Sequence, residues 1–394
     1  MKTIKAKYDK HRKACSIRYP LNYLIDKDVQ SMLLPLNVMQ NIALSPKYRI
    51  QNDVILPNGF KRNIFLFSFG VFVSAMFIYQ AYNFNLDPTK RHNLFIIFLA
   101  SYIDILFFIF AYFINFFTNF FQVDNNISFV LRYQDVHRFL NSQYQFKRFI
   151  VCNWFSVILF CSCYFTTNIY CWFYINLPIY QFCLNILAIF TDTHLVYTIR
   201  LYESLNHKIV LWNYEVSSIL KRNPSDNNVD MFCIRMFEAL HNILRCFTCL
   251  KNSSQVMIVF HTIGSFWQVL LKLQTTIDFL KLPHQRGTPF AMNFAILYVD
   301  LFVIKSLIMG IVLTIYCEKF YKQIDVMRDS CVLVLKSKCS DAEKRLCKNS
   351  MRLLQSEYDK LRLCRMFYID ARFPLKMFSL LANYTIVLFQ FAFL

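Results

Sequence analysis

The sequence predicts an all-α, polytopic membrane protein with seven transmembrane helices. Three observations carry this reading. Hydrophobic residues make up 56% of the chain and charged residues 17%, against about a quarter charged in an ordinary soluble domain. Mean hydropathy is +0.34 over all 394 residues, too high for a soluble body with one anchor. Long charge-free runs also alternate with short basic segments.

The first 62 residues are polar and basic and offer no apolar run, so they read as a cytoplasmic N-terminal segment without a signal peptide. From Asn63 to Leu86 there are 24 residues without a charge. At 1.5 Å per residue they reach about 36 Å, enough for a hydrocarbon core of about 30 Å. A second run covers Asn93 to Val123, broken only by Asp104. The 43 uncharged residues from Phe149 to Thr191 exceed one crossing, and Pro178 falls where a tight connection belongs. They divide into spans at about 149–173 and 179–200. Further spans are expected at about 253–279 and 289–316, and the last from Met377 to Leu394.

Orientation follows from the basic residues. The segments on one side hold 37 Lys and Arg and those on the other side 4. The positive-inside rule puts the N-terminus in the cytoplasm and the C-terminus outside, the reverse of a G-protein-coupled receptor. The expected organisation is a cytoplasmic segment at 1–62, a six-helix membrane domain with cytoplasmic extensions at 63–316, cytoplasmic anchor helices at 317–376 and a seventh span at 377–394. In the anchor region Phe320, Ile324, Met327, Cys331 and Val334 recur at heptad-like spacing, as do Cys347, Met351, Leu354, Tyr358 and Leu361. Such stripes serve equally well for packing within one chain or between subunits. Lys336 to Asp341 reads as the turn between them, and Asn223 to Asn228 as another turn or link.

Several function classes drop out. The net charge of +19 rests on basic residues gathered between apolar spans, which argues against a nucleic-acid partner. With 5 Gly and no G-x-G-x-x-G or P-loop spacing, nucleotide enzymes of those kinds are excluded. No pair of His stands at H-x-x-x-H or H-x-x-H spacing, and Cys246-x-x-Cys249 lacks a second pair to complete a zinc site. The 14 Cys are scattered and suggest no disulfide framework. No catalytic residue, metal or cofactor is expected, and the chain does not read as an enzyme.

Asp104, Asp192, Lys272, Asp300 and Lys305 fall inside predicted spans, where a charge is costly and must face protein, water or a partner. Lys305 is expected to snorkel to the cytoplasmic edge, and Asp192 to be reached by water. Asp300 stands mid-span, in position to meet Lys272, and is kept as a functional candidate. The sequons at Asn126, Asn252 and Asn383 fall inside the cell or in the bilayer by the charge count, so none is expected to carry glycan.

The C-terminal run Asn383-Tyr384-Thr385-Ile386-Val387-Leu388-Phe389-Gln390-Phe391 resembles the signature of the insect gustatory receptors: Thr-Tyr, five mostly hydrophobic residues, then Gln-Phe. Asn383 stands where the family usually has Thr. Phe367-Tyr368-Ile369-Asp370-Ala371 with Leu375 is similar to the family's approach to that span. Leu34-Pro35-Leu36-Asn37 and Ser45-Pro46-Lys47-Tyr48 are similar to moth and butterfly members. Thr385, where sugar-sensing members often carry Glu, places the resemblance nearer the bitter-type group.

The resemblance implies a ligand-gated, non-selective cation channel of four subunits in the plasma membrane of gustatory sensory neurons. Its partners would be membrane lipid, a small-molecule tastant such as a bitter plant compound, and the same or related chains in a homo- or heterotetramer. The last span would line the pore, with Gln390 and Phe391 as the constriction and Asn383, Tyr384 and Thr385 as packing residues. The cytoplasmic helices would form an anchor between subunits. The ligand pocket would draw on Thr166, Thr167, Tyr170 and Trp172, on Tyr180, Gln181 and Asn185, on Trp267 and Gln268, and on Asn293, Tyr298 and Asp300. The alternative reading is a secondary transporter of a small organic solute. The short final span and the absence of internal repeats or Gly/Pro-broken helices speak against it.

Overall fold

Apolar runs at helical length dominate the fold. The computed structural model describes residues 23–85, 95–175, 179–219, 229–281, 289–364 and 367–393. About 85% is helical, in 10 helices. In chain order these are α1 (Lys27–Ile42), α2 (Phe60–Asn85), α3 (Phe95–Phe121), α4 (Val123–Phe139), α5 (Gln143–Ile175), α6 (Ile179–Ile219), α7 (Val229–Lys281), α8 (Pro289–Lys336), α9 (Asp341–Glu357) and α10 (Phe373–Phe393). Two small antiparallel ribbons accompany them, β1 (Arg49–Gln51) with β2 (Val54–Leu56) and β3 (Arg362–Leu363) with β4 (Phe367–Tyr368).

Each apolar run found in the sequence falls on one of the long helices α2, α3, α5, α6, α7, α8 and α10. Among the described residues, three helical stretches are long and apolar enough to cross a membrane: Phe60–Tyr79, Phe146–Thr166 and Val229–Gln274. The pair α3 and α4, bent by 60° where they meet, makes a fourth candidate. On α2 and α5 apolar side chains face outward; Phe72, Ile78, Val151 and Phe155 are all more than 60% exposed. A water-facing helix would carry charge there.

The hydrophobic core lies elsewhere. It is built by α1, α4, α9 and the charge-bearing halves of α6, α7 and α8. Trp212 on α6 is fully buried and donates its indole N–H to the Met236 carbonyl of α7 at 2.8 Å. Phe247 of α7 stacks on Phe320 of α8, with centroids 4.7 Å apart. The α8 stripe Phe320, Ile324, Met327, Cys331 and Val334 has no exposed surface, and Leu354 and Leu361 are 1% and 0% exposed. The α8 stripe is therefore consumed by packing within the single chain, as are Cys347, Leu354 and Leu361 of the second stripe, whose Met351 and Tyr358 are half-buried. This corrects the expectation that these stripes form the seam between subunits: a dry face already filled is not open to a partner.

Two further expectations need correction. The N-terminal segment does contain an apolar core element. Val29, Met32, Leu33, Leu36 and Met39 recur at helical spacing on α1 and are 0–1% exposed. Asp26, just before α1, pairs with Arg138 of α4 at 2.7 and 2.8 Å, and its backbone N–H donates to Gln134 at 2.8 Å. The fold is also not wholly helical. Asn52 and Asp53 both take positive φ, 52° and 61°, between β1 and β2. That is the pair of conformations a two-residue type I′ hairpin requires, and Asn and Asp tolerate it.

The turn read at Lys336–Asp341 is real and has a cause. Ser340 caps α9, accepting from the Glu343 N–H, while the Glu343 carboxylate accepts from the Ser340 N–H. This reciprocal capping box fixes where α9 begins. Helix α8 runs unbroken past residue 317, so that position marks a change of surroundings and no break in the chain's path.

Candidate functional site

Two features stand out from the packing: a polar node between four helices, and a final helix that is barely packed. The node gathers Tyr164 of α5, Asp192 of α6, His261 of α7 and Lys305 of α8. Lys305 Nζ donates to the Asp192 carboxylate and to the Tyr164 hydroxyl, and Tyr164 donates to Asp192 as well. His261 Nε2 lies 3.4 Å from the other Asp192 oxygen, and its Nδ1 lies 3.3 Å from Ser265 Oγ. The Asp192 side chain is 5% exposed and that of His261 10%. Both oxygens of this buried carboxylate therefore have polar partners, from three other helices.

Lys305 therefore does not snorkel to the edge, and Asp192 is not left to water. Each charge was visible in the sequence, but their pairing was not, because 113 residues separate them. Tyr164 and His261 gave no signal of their own. The available clue was charge arithmetic: an acid and a base inside apolar runs each need a partner.

From the node a narrow cleft leads to the foot of α10. His261, Ser265 and Ser306 face Phe373, Pro374 and Met377 across it. The backbone approach behind this is tight. A Cβ on Gly264 would lie 1.9 Å from Phe107 Cζ of α3, and Phe107 stacks on Phe260 at 4.3 Å. Only glycine permits that contact.

Helix α10 touches α7 and α8 along a single face. Leu381 is buried, Thr385 and Leu388 are half-buried, and Tyr384 sets its ring edge-on to Phe266 at 5.7 Å. Thr385 donates to the Leu381 carbonyl at 2.8 Å, within its own helix. Lys376, Ser379, Asn383 and Gln390 are all exposed. At 100° per residue they fall on the side opposite the packed one. An otherwise apolar helix thus carries its polar stripe away from its own chain.

The other sequence candidates divide in two. Thr166 is exposed and donates back to the Ser162 carbonyl at 2.7 Å; Trp267 is 41% exposed and Gln268 is buried. No hydrogen bond or ring contact joins these three among the described residues. The side chains of Thr167, Tyr170, Trp172, Tyr180, Gln181, Asn185, Asn293, Tyr298, Asp300 and Phe391 lie outside the described residues, as does that of Asp104. Among the described residues, no three metal-ligating side chains come together. The sequon residue Asn126 lies on the buried face of α4 and is 5% exposed.

Outside the apolar stretches, two lysines are buried against histidines. Lys208 Nζ lies 2.8 Å from His137 Nδ1 and donates to the Leu140 carbonyl at 2.7 Å. Lys47 Nζ lies 3.0 Å from His194 Nε2 and 4.9 Å over the Tyr197 ring. Burial pushes both amines down to about 7, because the ammonium form loses hydration that imidazole and carbonyl groups replace incompletely.

No protein-family model matches the chain, and no curated protein matches it.

Proposed function

We propose that this chain is one subunit of a ligand-gated, non-selective cation channel of the insect gustatory receptor type, opened by a small, mostly apolar compound. The observation that carries the proposal is the polar stripe of Lys376, Ser379, Asn383 and Gln390 on the side of α10 that its own chain leaves uncovered. Facing lipid, Asn and Gln amides would lose their hydrogen bonds at a cost of several kcal/mol. Facing a central axis shared by four copies, they meet water and ions, and a ring of amide oxygens can replace part of a cation's hydration. Phe391, next to Gln390 in the sequence, would supply the apolar ring that closes the pore by dewetting.

In this reading the seven long helices cross the plasma membrane with the N-terminus inside. The 37 to 4 distribution of basic residues supports that orientation. Lys61 and Arg62 at the start of α2, Lys147 and Arg148 near the start of α5, and Lys376 on α10 all precede or open an apolar stretch. The cleft from His261 to Met377 gives a path by which helix movements around the node reach the pore helix. The assembly would use outer faces of the charge-bearing half and α10 itself, since the heptad stripes are filled within the chain.

A transporter is the second reading, and the Asp192–Lys305–His261 node favours it, because intramembrane titratable groups also serve coupled ion paths. Whole-cell recording in a heterologous cell with a panel of alkaloids, glycosides and sugars separates the two. The channel gives ligand-evoked current with discrete openings. Saturable uptake without openings overturns the channel reading.

A further inference from the structure

Arg49, Lys61 and Arg62 gather at the start of α2, and none of them is in an ion pair among the described residues. We infer that they form a binding site for the phosphate-bearing headgroup of an anionic phospholipid. The inference rests on the reading of α2 as a membrane span.

Arg49 opens the β1–β2 hairpin, and Lys61 and Arg62 are in the first turn of α2. The Arg49 guanidinium reaches the loop before α2: a Cβ on Gly59 would lie 3.9 Å from Arg49 Nη1. Arg49 and Arg62 are near enough to repel each other. Among the described residues neither arginine nor Lys61 belongs to any ion pair within 4.0 Å. Arg49 Nε is buried and has no hydrogen-bond partner. Arg62 spends one donor on Asn41 Oδ1, and the rest of its fork is uncommitted in the described contacts. Two guanidiniums held near each other, one with a buried unpaired donor, gain from a compensating anion.

An anion with several acceptor oxygens would compensate both groups at once. Phosphate matches paired guanidinium forks better than a single carboxylate does. The first-turn N–H groups of α2 add partial positive charge on the same side. What distinguishes a lipid from a free anion is the surroundings. Phe60 is 79% exposed, Ile64 49% and Phe65 59%. These side chains continue from the basic cluster along α2, where acyl chains would lie. The cluster therefore sits at headgroup depth, on the side where anionic lipid is enriched.

The test uses the full-length chain purified in detergent, melted with short-chain phosphatidic acid, short-chain phosphatidylcholine or inorganic phosphate. Phosphatidic acid at saturation should raise the melting temperature by about 2–4 °C. Phosphatidylcholine and inorganic phosphate should leave it within about 1 °C. The R49Q/R62Q variant should lose the shift, and K147Q/R148Q, which removes an exposed basic pair elsewhere, should keep it. If R49Q/R62Q does not fold, R62Q alone should reduce the shift. The inference is overturned by an undiminished shift in the arginine variants, by equal loss in K147Q/R148Q, or by an equal shift with inorganic phosphate. Alkaline extraction of membranes tests the underlying reading separately: release of the chain to the supernatant defeats the span, whatever the melts show.

Discussion

Lys305 on α8 and Asp192 on α6 form an ion pair between two long helices, and Tyr164 and His261 close the pair from α5 and α7. The arrangement ties four helices at one point. Its cost is desolvation of two charges, and its return is a fixed register among helices whose apolar surfaces slide easily over one another.

Breaking one side of that pair should be worse than removing both. Asp192→Asn leaves the Lys305 ammonium without its counter-ion and should cost about 3–5 kcal/mol. Surface delivery should fall sharply. Asp192→Leu combined with Lys305→Met should recover much of it, since a matched apolar pair leaves no uncompensated charge. Surface biotinylation of the single and double variants checks this, and equal loss in all of them would mean the pair does not hold the helices.

On α10, cysteines at Asn383 and Gln390 should react with a water-soluble thiol reagent in open channels, and cysteines at Leu381 and Leu388 should not. Gln390→Leu should lower conductance or change ion preference with ligand affinity little altered. Phe391→Ala should raise ligand-independent current. Unreactive cysteines at 383 and 390, with normal current in Phe391→Ala, would remove α10 from the pore.

Gly264 should resist even the smallest substitution. Its Cβ would lie 1.9 Å from the Phe107 ring, so Gly264→Ala must push α3 from α7 or force Phe107 from its rotamer. A cost of about 1–3 kcal/mol is expected. Phe107→Leu in the same chain should relieve part of it, read as melting temperature in detergent.

Leu354→Asp should unfold the charge-bearing half before it affects assembly. Leu354 is 1% exposed within a single chain, so the carboxylate would be buried without a partner. Limited proteolysis should cut the variant near α9 under conditions where the parent resists. A fully folded chain that merely loses its oligomer would show instead that the stripe serves between subunits.

Stability should rise with pH above neutrality. The folded Lys208 amine titrates near 7, and its ordinary value is 10.5. Between those values the unfolded chain binds a proton that the folded chain does not. The folded state therefore gains with rising pH across that window and is least favoured below about 7. Lys47 acts in the same direction. The slope is at most about 1.4 kcal/mol per pH unit for each group. Melting temperature should increase from pH 7 to 9, and Lys208→Met should flatten the rise.

Periodicity and charge were enough to locate the long helices, because a run of some twenty apolar residues has one economical backbone solution away from water. The turn at Lys336–Asp341 and the heptad stripes are local patterns too, and both were legible, whereas the Ser340–Glu343 cap that sets the start of α9 went unread. The α1 core helix was legible in principle: its apolar spacing is helical, though short and set in a basic segment. The polar stripe of α10 could be laid out from residue numbers alone, since 100° per residue fixes which side chains share a face.

Tertiary structure decided which face of that helix the chain covers, and so left the stripe outward. It also decided that the heptad stripes meet partners in their own chain, that Asp192 pairs with Lys305, and that Arg49 comes to lie beside Arg62. The reason is physical. A sequence states the need of a buried charge or an apolar face for a partner, but many partners satisfy that need at similar energy. Which one is met depends on contacts between residues far apart in the chain, and those exist only once the helices have packed.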